Sequence, residues 1–424
     1  MAEDVKVPEG WRKIPLLEKL AFIKGKAPRK FYNFKEKNTI RYLTPECLRG
    51  RNNETLYCNI YEAEIVNDDV VVLWDGSNAG EIFFAKDGAI ASTMAKIEID
   101  EKSHKRFFYY YLKLYEPILK YQIKGSGIPH VEKDIFGLLP NTFPSFPEQR
   151  KIAEILETVD NAIEKTDRII EKYKRIKQGL MQDLLTRGIV ESDELGVRSY
   201  ELRDEKKHRF KDSPLGRIPE EWEVVELGEV VESFAGGTPN RENKEFFSGS
   251  IKWLKSGEIN RKYIYDTEEK ITMKGFKFSS TKWIERNTVV IALYGATAGQ
   301  VGIVKDKMTM NQAVLALNTF KNKLNYEYIY YYLSAYVPKI LSQLQGSGQP
   351  NLSKKIIDTI QIPLPPLPEQ HRIASILSQI DEAIEKEQKY KEKLERIKKG
   401  LMEDLLTGKV RVLGVMNYEL GVKS

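Results

Sequence analysis

The side chains best suited to chemistry in this 424-residue chain sit in glycine-rich loops, and what they offer is hydrogen bonding. Four runs stand out: Gly236-Gly237-Thr238-Pro239-Asn240-Arg241, Lys255-Ser256-Gly257, Gly346-Ser347-Gly348-Gln349-Pro350-Asn351 and Gly125-Ser126-Gly127-Ile128-Pro129-His130. Such loops let backbone amides approach phosphates and set Asn, Gln, Arg or Ser against base edges. Lys26, Arg29, Lys30, Ser77, Asn78, Lys86, Thr297, Asn311 and Gln312 complete the candidate nucleic-acid contacts. Any one of these loops could be an ordinary turn. Their recurrence at equivalent places argues for a shared binding face.

Two tyrosine runs, Tyr109-Tyr110-Tyr111 and Tyr330-Tyr331-Tyr332, could stack on bases. A tyrosine-rich helix more often packs half-buried, and packing is the reading preferred here. Catalytic groups are missing from the pattern. There is no G-x-x-x-x-G-K-[ST] phosphate loop, no [DN]-P-P-[FYW] run and no Gly-rich cofactor loop after a strand. His104, His130, His208 and His371 are scattered singly, without metal-ligand spacing.

The elements that must position these loops come in two copies. Residues 147–186 recur without a gap as residues 368–407. The match extends upstream: Phe107 to Pro117 aligns with Tyr328 to Pro338, VVVLWDGSNAG at 70–80 with VVIALYGATAG at 289–299, and Pro8-Glu9-Gly10-Trp11 with Pro219-Glu220-Glu221-Trp222. The offset shrinks toward the start by about ten residues, a loop insertion that a folded unit tolerates. A repeat on this scale outweighs any single motif.

Each copy closes with a long helix. Ile152, Ile155, Val159, Ala162, Thr166, Ile169, Tyr173, Ile176 and Leu180 alternate steps of three and four. Ile373, Ile376, Ile380, Ala383, Glu387, Tyr390, Leu394, Ile397 and Leu401 repeat the pattern. Sustained heptads with Glu and Lys on the other faces predict a coiled coil. Pro147-Glu148 and Pro368-Glu369 suit a first helical turn, where an acidic group meets the positive end of the helix dipole. Each rod is roughly 60 Å long. An antiparallel pair would relate the copies by an approximate two-fold axis. Gly179 and Gly400 interrupt both helices at one place, and close helix crossing there is the expectation.

Between the helices, short β-rich stretches at 70–74, 288–294 and 301–304 alternate with Gly, Asn and Ser turns, and each copy has one aromatic helix, at 106–121 and 326–344. The fold class expected is therefore α+β. Two similar mixed modules span 1–146 and 222–367, with helices at 147–190 and 368–408, a linker at 191–221 and a tail at 409–424. Hydrophobic residues at 41% supply two cores, and a net charge of +6 permits nucleic acid without requiring it. Cys47 and Cys58 lie in one copy only, so a disulfide framework is not expected and a reducing cytoplasm is. No apolar run reaches transmembrane length and no signal peptide is visible, so no membrane partner is expected.

On these residues the chain resembles the specificity subunit of Type I restriction-modification systems. The resemblance rests on Lys211-Asp212-Ser213-Pro214-Leu215-Gly216-Arg217-Ile218-Pro219-Glu220-Glu221-Trp222, Gly236-Gly237-Thr238-Pro239, Asn311-Gln312-Ala313, Leu364-Pro365-Pro366-Leu367-Pro368-Glu369-Gln370 and Gly400-Leu401-Met402. The first copy departs where Lys26-Ala27 replace Gly237-Thr238 and Phe143-Pro144-Ser145-Phe146 replaces the Pro-Pro run. The resemblance implies a non-catalytic reader of double-stranded DNA. Each of its two target-recognition domains would read one half of an asymmetric bipartite site. The helices would fix the spacer and dock two methyltransferase subunits. S-adenosylmethionine, ATP and Mg2+ would belong to those subunits and to restriction subunits, with no cofactor in this chain. The other readings left open are a DNA methyltransferase or nuclease with unrecognised motifs, and a coiled-coil scaffold that binds only proteins.

Overall fold

A computed structural model describes residues 7–51, 55–121, 129–194, 197–344 and 351–412 of the chain. The molecule divides into two compact units, one formed by Met1–Arg168 with Gln388–Ser424 and the other by Ile169–Glu387. Four helices organise these units: α1 (Lys105–Leu114), α2 (Phe146–Leu184), α3 (Tyr326–Leu344) and α4 (Leu367–Leu406). Both unit boundaries fall inside the long helices, so α2 and α4 each give one half to each unit.

In unit 1 a four-stranded antiparallel sheet has the order Leu20–Lys24, Met94–Ile99, Asp69–Leu73, Ile82–Ala85. A five-stranded sheet has the order Phe31–Tyr32, Tyr57–Asn59, Thr39–Leu43, Gly88–Ile90, Glu64–Val66. The valine run explains the layering. Successive strand residues face opposite ways, and here both faces are covered. Val70 and Val72 join the core made with Phe107, Tyr110 and Tyr111 of α1, while Val71 and Leu73 face a second core with Tyr42, Cys58 and Ile90. The first core also takes Ile152, Ala153 and Leu156 from the start of α2 and Met402, Leu405 and Leu406 from the end of α4.

Unit 2 repeats the plan. Its five-stranded sheet runs Val231–Ala235, Val314–Thr319, Val289–Ala292, Val301–Val304, Tyr263–Ile264, and its four-stranded sheet runs Lys270–Ile271, Phe247–Leu254, Met308–Met310, Trp283–Ile284. Val289 and Ile291 face a core with Tyr328, Tyr331 and Leu333 of α3, and Val290 and Ala292 face Leu254, Met308 and Met310. Leu184 from the end of α2 and Ile373, Ala374 and Leu377 from the start of α4 complete the first of these cores. Residues 191–221 carry most of one hairpin (Ile189–Glu194 with Val197–Leu202) and all of another (Phe210–Ser213 with Gly216–Pro219).

The long helices pair antiparallel. In unit 1, Asp160 meets Lys398 at 2.5 Å and Asp167 meets Lys391 at 2.7 Å, so a step up one helix is a step down the other. In unit 2, Lys177 meets Asp381 at 2.6 Å. The heptad reading needs correction along the rods. Ile152, Ile373 and Leu394 are buried, and Ile155, Val159, Tyr173, Leu180, Ile376, Ile380 and Leu401 are half-buried. Ile169, Ile176, Tyr390 and Ile397 are exposed, while Ile170 and Thr166 are buried. A straight helix drifts about 20° per heptad from a 3.5-residue repeat, so a strict heptad stripe leaves the contact line along a long rod. The expected close crossing at the glycines is also absent, since a Cβ on Gly179 or Gly400 would meet open space.

The Pro-Glu-Gln entry to each long helix does more than suit the helix dipole. Glu369 accepts from Ile189 N at 2.8 Å and Trp222 Nε1 at 3.1 Å and pairs with buried Arg203, while Gln370 Oε1 accepts from Asn325 N at 2.9 Å. In unit 1, Glu148 pairs with Arg411 at 2.8 and 2.9 Å, and Gln149 Oε1 accepts from His104 N at 2.9 Å. No helix among the described residues is long and apolar enough to cross a membrane.

Candidate nucleic-acid interface

One loop cluster is built twice, by the same backbone hydrogen bonds. In unit 1, Gly25 N donates to Met94 O at 2.9 Å, Trp74 N to Thr93 O at 2.8 Å, Gly80 N to Leu73 O at 2.8 Å and Val131 N to Trp74 O at 2.9 Å. In unit 2, Gly236 N donates to Val314 O at 3.3 Å, Leu293 N to Ala313 O, Gly299 N to Ala292 O and Leu352 N to Leu293 O, each at 2.8 Å. The loops at 25–26, 74–80, 91–93 and 129–131 thus meet at one end of a sheet, as do those at 236–238, 293–299, 311–313 and 351–352. Gly25 and Gly236 make the approach possible. A Cβ would overlap the carbonyl of Ala91 or of Met310, so only glycine fits.

Of the residues expected from sequence, Lys26, Ser77, Asn78, His130, Thr238, Thr297, Asn311, Gln312 and Asn351 lie in these loops, although several spend their side chains on holding them. In unit 2 the Thr238 hydroxyl donates to the Gln312 side-chain oxygen, Asn311 Oδ1 accepts from Ala313 N at 3.1 Å and Thr297 Oγ1 donates to Ser256 O at 3.1 Å. Asn240 Oδ1 accepts from Glu242 N at 3.0 Å. Arg241 lies over the rings of Phe247 and Trp253 at 4.9 and 5.0 Å and pairs with Glu269, which also lies 3.5 Å from Lys255. Flanking Arg241 and Lys255 hold the Glu269 carboxyl below the usual range, with the Arg241 hydrogen bond the largest cause. Gln312 and Asn351 are exposed.

In unit 1, Lys26, Ser77, Asn78 and His130 are exposed on the cluster, and the His130 ring lies 2.8 Å from Glu132. Arg29 and Lys30 sit instead at the edge of the five-stranded sheet, where Arg29 N donates to Glu62 at 3.1 Å and Lys30 lies over Tyr32. Lys86 is not in the cluster. The pairing of Asp69 with Ala85 places it at the far end of the strand that leads into the cluster. Ser126, Ser347 and Gln349 fall outside the described residues. The tyrosine runs pack: Tyr110, Tyr111 and Tyr331 are fully buried, and Tyr332 OH donates to Gln361 O at 3.1 Å.

One pair of positions escaped the sequence reading. The equivalent loops carry Asp75 in unit 1, 3.0 Å from Lys24, and exposed Tyr294 in unit 2. The alignment of 70–80 with 289–299 already set them opposite each other. Among the described residues no group of three or more His, Cys, Asp or Glu could hold a metal ion, and both cysteines are free.

Comparison with known proteins bears on this doubled cluster. Residues 8–174 and 219–396 match the Type I restriction modification DNA specificity domain. The chain belongs to the Type I specificity-subunit family. It is 35% identical over 420 residues to the Type I restriction enzyme MjaVIII specificity subunit of Methanocaldococcus jannaschii, covering 96% of this chain and 95% of that one. It is 29% identical over 186 residues to the EcoR124I/EcoR124II specificity subunit of Escherichia coli, which is 42% of this chain and 46% of that one. The fold matches the crystal structure of the Type I S subunit from M. genitalium with a TM-score of 0.62 over 96% of this chain and 97% of that one, at 16% identity. As a specificity subunit, the chain serves DNA recognition within a Type I restriction-modification complex.

Proposed function

We propose that each loop cluster reads one half of an asymmetric, bipartite double-stranded DNA site, and that α2 and α4 set the distance between the halves. The observation that carries this reading is the doubled cluster: one backbone framework with different side chains on it. Lys26, Asp75, Ser77, Asn78 and His130 in unit 1 stand where unit 2 has Gly237, Tyr294, Ala296, Thr297 and Asn351. Equal scaffolds with unequal donors and acceptors suit two different base sequences, because the major-groove edge of each base pair presents a distinct pattern.

The exposed apolar residues of the rods support docking of two methyltransferase subunits. Ile169 and Tyr390 occupy equivalent positions, as do Ile176 and Ile397, so the same small patch is offered twice. Those partners would bring S-adenosylmethionine, and restriction subunits would bring ATP and Mg2+. The chain itself is read as non-catalytic and cytoplasmic. With a net charge of +6 and many cations already paired, the isolated chain should bind DNA weakly.

The test is to exchange residues 222–367 for the equivalent module of a relative, assemble the complex with methyltransferase subunits, and map methylated sites. One half-site should change and the other should stay. If both change together, or neither does, the modular reading fails.

A further inference from the structure

Three side chains from three different elements meet once in each unit. In unit 1, Tyr110 OH of α1 donates to Asp160 Oδ2 of α2 at 2.7 Å, and Lys398 of α4 lies 2.5 Å from Asp160 Oδ1. In unit 2, Tyr331 OH of α3 donates to Asp381 Oδ2 of α4 at 2.6 Å, and Lys177 of α2 lies 2.6 Å from Asp381 Oδ1. The correspondence extends to the ring contacts: Lys398 lies 5.6 Å over Tyr110 and Lys177 lies 5.5 Å over Tyr331. The tyrosine and aspartate of each set come from one copy of the repeat, and the lysine comes from the long helix of the other copy. Only an antiparallel pair of rods in one register can form both sets.

The chemistry is directional. An apolar stripe stays attractive after a slip along the rods, because hydrophobic contact has no preferred geometry. A carboxylate shared between a buried hydroxyl and an ammonium does not. Burial, and then the neighbouring aspartate, push both tyrosine hydroxyls well above the ordinary tyrosine range, so each remains a donor at any working pH. A polar group placed in an otherwise apolar helix contact is a known device for fixing register.

We propose that Tyr110–Asp160–Lys398 and Tyr331–Asp381–Lys177 are registration nodes, which seat each reading unit on both rods and so fix the spacer to which the complex responds. This rests on the reading of the rods as the spacer element. The tyrosines, aspartates and lysines are positioning residues and touch no base. Lys262 strengthens the second node, with Nζ 2.6 Å from Tyr331 OH and 3.1 Å from Ser378 Oγ.

The test uses the full chain assembled with its methyltransferase subunits. Methylation rates are measured on duplexes carrying both half-sites at the native spacer and at one base pair more or less. Tyr110→Phe with Tyr331→Phe keeps both rings packed and removes only the hydroxyls. Preference for the native spacer should fall at least tenfold, since a single lost hydrogen bond to a charged group is worth roughly that much and two are removed, with the half-site bases unchanged. The exchange Asp160→Lys with Lys398→Asp should recover more of the preference than either single change. Spacer preference retained in the tyrosine variant, or an equal loss of rate at every spacer, would overturn the nodes. A wild-type complex indifferent to the spacer would remove the underlying reading itself.

Discussion

Glu116 shows how single residues are tuned away from the reading face. Its carboxylate accepts from Ile82 N at 3.0 Å and pairs with Lys113 at 2.6 Å and Lys120 at 2.7 Å. Burial pushes its pKa up, but the two lysines and the amide together outweigh burial and hold it below the usual carboxylate range. A depressed folded-state pKa contributes stability above the unfolded value, about 4.3 for glutamate, and loses it as pH falls through the folded value. Glu116→Gln should therefore flatten the acid limb of the thermal-midpoint profile below about pH 4.3 and lower the midpoint at neutrality. An acid limb of unchanged depth would show that other carboxylates set it. At this scale the sequence was a partial guide. It pointed to Gly236, where a close backbone approach demands glycine. It did not show that Asn240, Asn311 and Thr297 hold loops: Asn240 and Asn311 close turns of their own by accepting from Glu242 N and Ala313 N two residues on, and only the folded sheet brings Ser256 to Thr297. Nor did it separate Lys86 from the cluster, since one strand length decides which end of the sheet a lysine occupies.

At the scale of elements, the helices were legible from a heptad pattern repeated over forty residues, and their antiparallel pairing from the approximate two-fold relation it gives two copies of one unit. The exact stripe was not, because drift between 3.5 and 3.6 residues per turn accumulates along the rod and moves Ile169, Ile176, Tyr390 and Ile397 to the surface. The sheet order was equally hidden, since cross-strand partners in unit 1 lie as far apart as Arg12 and Phe143. Gly179 and Gly400, near the C-terminal ends of the rods, have no packing reason to be glycine. Gly179→Ala and Gly400→Ala should each raise stability by roughly 1 kcal/mol, read from urea unfolding midpoints. If stability rises while methylation by the assembled complex drops, the bare backbone there is contacted by a partner subunit. If stability falls, the helices need the glycine for a local bend.

On the scale of the whole molecule, the repeat is equal in sequence but unequal in how each unit is closed. Unit 2 is a continuous span, and its Trp222, Arg203 and Glu369 are mutually satisfied. Unit 1 needs segments from either side of unit 2: Arg411 reaches Glu148 and the Glu9 carbonyl, Met402 and Leu405 fill its core, and buried Trp11 Nε1 has no partner among the described residues. Synthesis proceeds from the N-terminus, and contacts between distant segments form slowly. The first reader to leave the ribosome is therefore the last to be completed. It waits with an open core while more than two hundred residues are added, and the second reader finishes ahead of it. Chains stalled shortly after Glu387 and treated briefly with protease should yield protected fragments from 169–387 and cleaved fragments from 7–146. Early protection of the N-terminal fragment would reverse that order. A cell that loses the last turns of α4 would accordingly lose the reader encoded first.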